Sequence, residues 1–156
     1  MNSVRPRKML YGFIRLGFAG GLLFLISWAL LGLTRLMVVA LPQSWIRSLL
    51  GTSGVGDPVI ESLTARQERR ARKIGQSVTT ASRHTPWKSE CYPQALSARV
   101  ELVTARVPHT VSFGLRRDED GRLLAHAWVS AGDIRVTGGD PHHFTVVGSF
   151  AWKPGT

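Results

Sequence analysis

The longest uncharged stretch of the chain lies near its N-terminus and restricts what the first third can form. Residues 16–34 contain no charged side chain and are flanked by Arg15 and Arg35. This run is close to the ~20 apolar residues that a membrane-spanning helix needs. It is too long for the usual core of a signal peptide, which has about 7–15 residues. Two arrangements therefore stay open for residues 1–50. One is a single membrane span, and the other is a pair of apolar helices, over about 10–40 and 43–50, separated at Pro42.

Basic side chains are concentrated beside this apolar stretch. Residues 1–75 hold 11 Lys and Arg against 3 Asp and Glu, whereas residues 76–156 hold 9 against 7. Positive charge next to an apolar helix suits an anionic membrane surface or an acidic partner, so no nucleic-acid partner is predicted. More basic residues precede the apolar run than follow it. A single span would therefore leave the N-terminus inside and residues 50–156 outside.

The inventory of ligating residues argues against a metal site or a bound cofactor. Cys91 is the single cysteine, so an internal disulfide framework and the cysteine-rich zinc patterns are excluded. No phosphate-binding P-loop motif occurs. Four histidines have no spacing typical of metal ligands: His84, His109, His142 and His143.

Two helices are predicted after the Gly-rich linker at 51–58. The first runs from about Asp57 to Ser82, with Asp57 as its cap and Pro58 just after it. Its centre is rich in arginine, which favours a solvated face, with a docking face for an acidic partner as the alternative. The second runs over about 90–105, with Ser89 as its cap and Pro93 in its first turn.

The rest of the domain, which we place at residues 59–156, has the alternation and turn signals of strands. Four strands are predicted, over 110–116, 122–130, 134–139 and 144–152. The turns between the first three are short, which indicates hairpins and a mostly antiparallel sheet. Helices followed by such a sheet give the α+β fold class.

Cys91 and His126 are the residues best placed for chemistry. Cys91 lies in the first turn of a predicted helix, where unpaired N–H groups favour the reactive thiolate form. His126 lies in the middle of an alternating strand and suits a general base beside a nucleophile. The alternatives are a buried structural cysteine and a core histidine with a satisfied partner. A third residue should orient the ring of His126, and hairpin register favours Asp140, with Asp133 as the alternative. Both aspartates also suit ordinary turns.

These residues resemble a known family. The chain is similar to the transglutaminase-like B proteins of lasso-peptide maturation, in the form of their C-terminal or split leader-peptidase subunit, which also includes microcin-processing cysteine proteases. The resemblance rests on four pieces: Pro86-Trp87, Cys91 with Gln94-Ala95-Leu96, Gly114, and Ala125-His126-Ala127-Trp128. The apolar helices that end near Leu41-Pro42 are also similar to that family.

The resemblance implies a transglutaminase-like or papain-like domain in which a helix bearing Cys91 packs on a small antiparallel sheet. It implies a cysteine peptidase that removes the leader from a ribosomally synthesised lasso-peptide precursor, with Cys91 as nucleophile and His126 as base. Family members often carry the third residue, an acid, at about the position of Gly138-Gly139. This chain has glycine at both places, so Asp140 is the nearest replacement.

The resemblance also implies partners. ATP dependence would come from an asparagine-synthetase-like cyclase, and a separate leader-recognition protein would deliver the precursor, because no such domain is visible in residues 1–57. These partners are cytoplasmic, so we expect a cytoplasmic domain associated with the inner membrane through residues 1–50. Two other functions stay open. One is a non-catalytic, membrane-associated adaptor, and the other is an acyltransferase or transglutaminase of the same fold.

Overall fold

The computed structural model describes residues 6–42, 53–54 and 62–155, with side chains placed in 18–42 and 62–155. The helix predicted over 43–50 and the cap predicted at Asp57 lie outside the described residues. The described helices are α1 (Pro6–Ala40), α2 (Ala65–Ser82) and α3 (Cys91–Thr104). The described strands are β1 (Ser53–Gly54), β2 (His109–Arg117), β3 (Leu123–Ala131), β4 (Ile134–Thr137) and β5 (Thr145–Trp152). The predicted α+β fold class is confirmed.

Helix α1 packs on the domain along one face. Its segment Phe18–Ala40 has 23 residues and a mean hydropathy of 2.1, which is long and apolar enough to cross a membrane. However, Leu31 is 0% exposed and belongs to the hydrophobic core. Ser27 donates to the Glu101 carboxylate of α3 at 2.8 Å, so a polar side chain of this helix also points into the domain. In the structure, the first helix of the predicted pair therefore packs on the domain through one face, and the second lies outside the described residues.

Helix α2 begins later than the sequence analysis predicts. Residues 62–64 are not helical, and Thr64 is the N-cap. The Thr64 side chain accepts a hydrogen bond from the backbone N–H of Gln67, whose side chain accepts from the backbone N–H of Thr64. This reciprocal capping box satisfies two free donors at the helix start, which is why the helix begins here.

Helix α3 starts at Cys91, and its cap also differs from the predicted one. Glu90 is the N-cap and makes no side-chain capping bond. Ser89, which we predicted as the cap, is hydrogen-bonded through its hydroxyl to Thr85 at 2.8 Å. Pro93 is buried in the first turn, as predicted, because a first-turn residue needs no backbone N–H.

The sheet has five described strands in the order β1-β5-β2-β3-β4, and every pair is antiparallel. The four predicted strands are all present, within two residues of their predicted ends. The additional strand, Ser53–Gly54, lies in the stretch assigned to the linker and pairs with β5. The connection from β4 to β5 must pass over β3 and β2, because those two strands separate its ends in the sheet.

The two faces of the sheet have different coverings. Helices α2 and α3 cover one face, where Ala127, Val129 and Val111 join the hydrophobic core. Side chains alternate along a strand, so His126 and Trp128 lie on the opposite face. That face is covered locally by the β4–β5 connection, residues 138–144.

Candidate functional site

Cys91 is the first residue of α3 and is half-buried against the core. Its neighbour Tyr92 contacts the ring of Phe113 at 5.4 Å between centroids. Phe113 pairs with Ala127 across β2 and β3, so the start of α3 lies over this pair, one residue along β3 from His126. The thiol therefore lies beside the unpaired N–H groups of a helix start, a place that favours negative charge.

His126 lies on the other face of β3 in a small aromatic cluster. Its ring lies 6.0 Å from that of Trp128 and 4.8 Å from that of Phe144. Its Nε2 is 2.6 Å from the carbonyl oxygen of Gly138. A carbonyl only accepts, so Nε2 carries the proton and donates it. In the neutral ring Nδ1 is then the basic nitrogen, and within residues 62–155 it has no hydrogen-bond partner.

The approach of Gly138 to β3 depends on its being glycine. Its φ is +89°, a left-handed value that favours glycine. A Cβ at this position would lie 2.7 Å from the carbonyl oxygen of Ala127 and would overlap Trp128. The tight contact brings the Gly138 carbonyl to the His126 ring. Sequence reasoning missed this partner, although the glycine pair at the end of a predicted strand was its signal.

The two aspartates considered as the third residue are engaged elsewhere. Asp140 accepts from the backbone N–H of His142 at 3.1 Å and lies 3.4 Å from the His142 ring nitrogen, with 69% of its side chain exposed. Asp133 lies in the β3–β4 turn and lines a cavity of about 350 Å³ together with Glu68 and Arg72. The short turn predicted between β3 and β4 is present and has two residues, because Ala131 pairs with Ile134. The hydrogen bond expected from an aspartate to His126 is made by the Gly138 carbonyl.

The structure places the start of α3 and His126 at the same level of the sheet but on opposite faces of β3. Within residues 62–155 no hydrogen bond joins the Cys91 sulfur to the His126 ring. The start of α3 packs on the face that carries Phe113 and Ala127, whereas His126 shares the opposite face with Trp128. A one-residue change of register would move the side chains of β3 to the other face of the sheet. The position of His126 on the face opposite α3 is therefore set by the register of β3.

Two buried titratable side chains escaped the sequence analysis. Burial raises the pKa of Glu101 to about 7, and the hydrogen bond from Ser27 opposes that shift. Burial lowers the pKa of His109 to about 4, and the charge of Arg99 adds to the lowering, while the hydrogen bond to the Val107 carbonyl opposes it. Glu101 lies between α1 and α3, away from the His126 cluster, so it belongs to the packing of the helices. Within the described side chains, no group of three or more His, Cys, Asp or Glu residues is arranged to hold a metal ion.

A family model described as "Transglutaminase-like superfamily" matches residues 34–149. The match covers about three quarters of the chain, begins inside α1 and includes Cys91, His126 and the connection at 138–144. No curated protein and no solved structure matches the chain.

Proposed function

Because this chain belongs to the transglutaminase-like superfamily, we propose that it is a cysteine peptidase that removes the leader from a ribosomally synthesised lasso-peptide precursor. The observation that carries the proposal is the position of Cys91. It is the first residue of a helix that packs on the sheet, it is half-buried, and it lies inside the family match. A strand with a central histidine follows it, as thiol enzymes of this kind require.

In the proposed reaction, His126 takes the proton of the Cys91 thiol, and the resulting thiolate attacks the scissile carbonyl and forms a tetrahedral oxyanion. The backbone N–H of Cys91 at the helix start is a donor for that oxyanion. The oxyanion collapses, the C–N bond breaks, and His126 protonates the leaving amine. Water then attacks the thioester while His126 takes its proton, which releases the acid and regenerates the thiol. His126 would act through Nδ1, because Nε2 is bonded to Gly138.

This reaction needs the His126 ring within about 3–5 Å of the Cys91 sulfur. The ring and the helix start lie on opposite faces of β3 in the structure, so the proposal includes a rearrangement of β3 or of the start of α3 when substrate binds. Asp140 stays our proposal for the acid, with Asp133 as its alternative, if that rearrangement releases His126 from Gly138.

A second function is favoured by the same geometry. A non-catalytic, membrane-associated adaptor of this superfamily would need no hydrogen bond between Cys91 and His126, and within residues 62–155 the structure has none. An acyltransferase or transglutaminase would differ from the peptidase only in the acceptor, an amine in place of water.

The remaining parts of the proposal follow from the peptidase assignment. The chain binds no cofactor of its own, and its dependence on ATP comes from an asparagine-synthetase-like cyclase. A separate leader-recognition protein presents the precursor. The domain lies in the cytoplasm, where these partners are, and contacts the inner membrane.

The rate at which iodoacetamide alkylates Cys91, measured against pH, separates the peptidase from the adaptor. The peptidase predicts that, with the precursor and its recognition protein present, His126→Ala slows the alkylation, because a histidine beside the thiol stabilises the reactive thiolate. The matched control is His142→Gln, since that histidine is exposed and should leave the profile unchanged. Identical profiles for all three proteins, both alone and with the precursor and its recognition protein added, would reject the peptidase and support the adaptor.

Cleavage itself is tested with the precursor, the recognition protein and mass spectrometry. Cys91→Ala should abolish cleavage while the unfolding midpoint stays close to that of the unmodified chain, because one small, half-buried side chain replaces another. Cleavage at an unchanged rate would refute the nucleophile. A product carrying an added primary amine would instead assign the chain to the transferases.

A further inference from the structure

The surface of α1 that faces away from the domain is purely apolar. We call it the outer face. It is formed by the exposed side chains Phe18, Leu22, Leu25, Ile26, Leu33, Leu36 and Val39. At 3.6 residues per turn these positions form one continuous stripe, about 32 Å long at 1.5 Å per residue. The polar residues Ser27 and Thr34 lie on the opposite side and hydrogen-bond within the domain. A helix on the surface of a globular domain normally presents a polar face to water, whereas the exposed face of this helix is apolar.

The composition of the outer face favours lipid over a protein partner. Protein interfaces are enriched in several residue types, namely Tyr, Trp, Phe, Met and Arg, and have a polar rim. The outer face has one residue of these types, Phe18, which lies at its N-terminal end and is 93% exposed, and its other six side chains are aliphatic. The tryptophans of this region, Trp28 and Trp87, instead contact each other at the edge of the domain.

The charges around α1 suit an anionic surface. Residues 1–56 contain six Lys and Arg and no Asp or Glu. Arg83 and Lys88 are exposed, and each is adjacent in sequence to a residue that contacts α1, namely His84 and Trp87. Basic groups close to an anionic bilayer attract the chain to its surface.

The packing of α1 on the domain limits how this helix can be oriented in a bilayer. Its inner side is packed against the core from Phe24 to Leu41, which is most of the apolar segment. If α1 crossed the membrane, α2 and α3 would have to enter the hydrocarbon with it. Helix α2 carries exposed Arg66, Arg69 and Arg72, and charged side chains at that depth are costly. The helix must therefore lie parallel to the surface.

We propose that the outer face of α1 is a lipid-binding surface that inserts in the plane of an anionic bilayer while the inner face stays packed on the domain. This inference rests on the membrane association in the proposed function but not on its thiol chemistry. Its failure would leave the peptidase assignment untouched, and a Cys91→Ala chain should still bind lipid.

Co-sedimentation of the full chain with vesicles tests this surface. The double variant Leu25→Glu/Leu36→Glu should lose binding to mixed phosphatidylglycerol and phosphatidylcholine vesicles by at least about tenfold. Val146→Glu/Val147→Glu is the matched control, because these valines are 48% and 52% exposed, against 50% and 63% for the two leucines. Equal binding by both variants would overturn the proposal. So would a dimer of the unmodified chain that only the leucine variant dissociates, since that would make a second copy the occupant.

The depth of spin labels in the bilayer distinguishes a helix inserted in the membrane plane from one that spans the membrane. This measurement requires no charged substitution in α1. In the Cys91→Ala chain, a spin label is attached to a single cysteine at Phe18, Leu25 or Leu36, with Val147 as the control. Insertion in the plane predicts similar depth at the three helix positions and a water-exposed label at Val147. Greatest depth at Leu25 and interfacial labels at the other two positions would indicate a span and overturn the proposal.

Discussion

At the scale of single residues, the contact between Gly138 and β3 is the most restrictive feature of the His126 cluster. Gly138 and Gly139 both have positive φ, at +89° and +58°, so alanine at either should cost about 1 kcal/mol of backbone strain. Only at Gly138 would the new Cβ overlap neighbouring atoms, whereas Gly139 faces open space. Gly138→Ala should therefore lower the free energy of unfolding by about 1–3 kcal/mol more than Gly139→Ala, measured by urea denaturation.

The same pair of variants reports on the His126 tautomer. Long-range ¹H–¹⁵N spectra should show Nε2–H in the unmodified chain and in Gly139→Ala, because the Gly138 carbonyl accepts that proton. A mixture of tautomers should appear in Gly138→Ala. An unchanged spectrum in Gly138→Ala would show that another group orients the ring.

A comparison of two aspartate variants identifies the residue that orients His126 in the proposed site. If the Gly138 carbonyl orients His126 during cleavage, Asp140→Asn and Asp133→Asn should both cleave the precursor at close to the unmodified rate, because neither carboxylate contacts the ring. A selective loss in Asp140→Asn would show that Asp140 takes over this role when substrate binds. A selective loss in Asp133→Asn would identify the alternative acid.

Glu101 should make stability depend on pH in a direction unusual for a carboxyl group. Burial raises its pKa from 4.5 to about 7, so the folded chain keeps a proton that the unfolded chain releases near pH 4.5. The stability from this protonation is complete below pH 4.5 and is lost as pH rises to about 7. Over that interval the loss is roughly 3 kcal/mol as an upper value.

Glu101→Gln removes the titrating carboxyl group and keeps the shape of the side chain. It should match the unmodified chain near pH 4.5 and be more stable at pH 8, measured by urea unfolding. Comparison with the unmodified chain cancels the opposite effect of His109, whose buried neutral form loses stability as pH falls from 6.5 to about 4. Glu119→Gln, in the exposed β2–β3 turn, is the control. A constant difference at both pH values would contradict the buried titration.

At the scale of elements, the start of α2 is defined by its capping box. Thr64→Ala removes the acceptor for the Gln67 backbone N–H and should lower the free energy of unfolding by about 1 kcal/mol. Ser62→Ala is the control, because that exposed residue lies outside the helix and its loss should change stability by less than about 0.5 kcal/mol. Equal effects of the two substitutions would place the start of the helix elsewhere.

Several elements were predictable because their signals are local. The four long strands follow from alternation and turn residues, and the start of α3 follows from Pro93, which fits only a first turn. The predicted start of α2 was wrong because two helix-start signals lie close together in the sequence. Asp57-Pro58 is one of them and was chosen, and the pair Thr64 and Gln67 is the other. These two residues form the box that the structure uses.

The packed face of each element was harder to predict. Alternation places His126 and Trp128 on one face of β3, but it does not say which face the helices cover, since Trp128 and Val129 are both buried on opposite sides. Similarly, α1 carries large apolar side chains on both its buried and its exposed side, so no helical period of apolar residues marks its inner face. The only signals were Ser27 and Thr34, small polar residues whose hydrogen bonds inside the domain explain their place in an apolar helix.

At the scale of the whole molecule, α1 belongs to the folding unit even though the family match begins within it, at residue 34. Leu31 is fully buried in the core, and Ser27 hydrogen-bonds to Glu101. A chain that starts at residue 34 would therefore expose the core between α2 and α3 and leave the Glu101 carboxyl without its donor. Losing one large buried aliphatic side chain alone costs about 2–5 kcal/mol, which is a large part of the 5–15 kcal/mol that stabilises a typical domain.

The last prediction follows from this packing. Residues 34–156 should lack a cooperative urea transition, whereas residues 18–156, which keep the described contacts of α1, should unfold with the midpoint of the full chain. Leu31→Ala in the full chain should lower the free energy of unfolding by about 2–5 kcal/mol, because the side chain is completely buried. Leu33→Ala is the matched control on the same helix, since Leu33 is 54% exposed and lies on the outer face. Cooperative unfolding of residues 34–156 at an unchanged midpoint would show that α1 is an attachment to the domain and not part of its core.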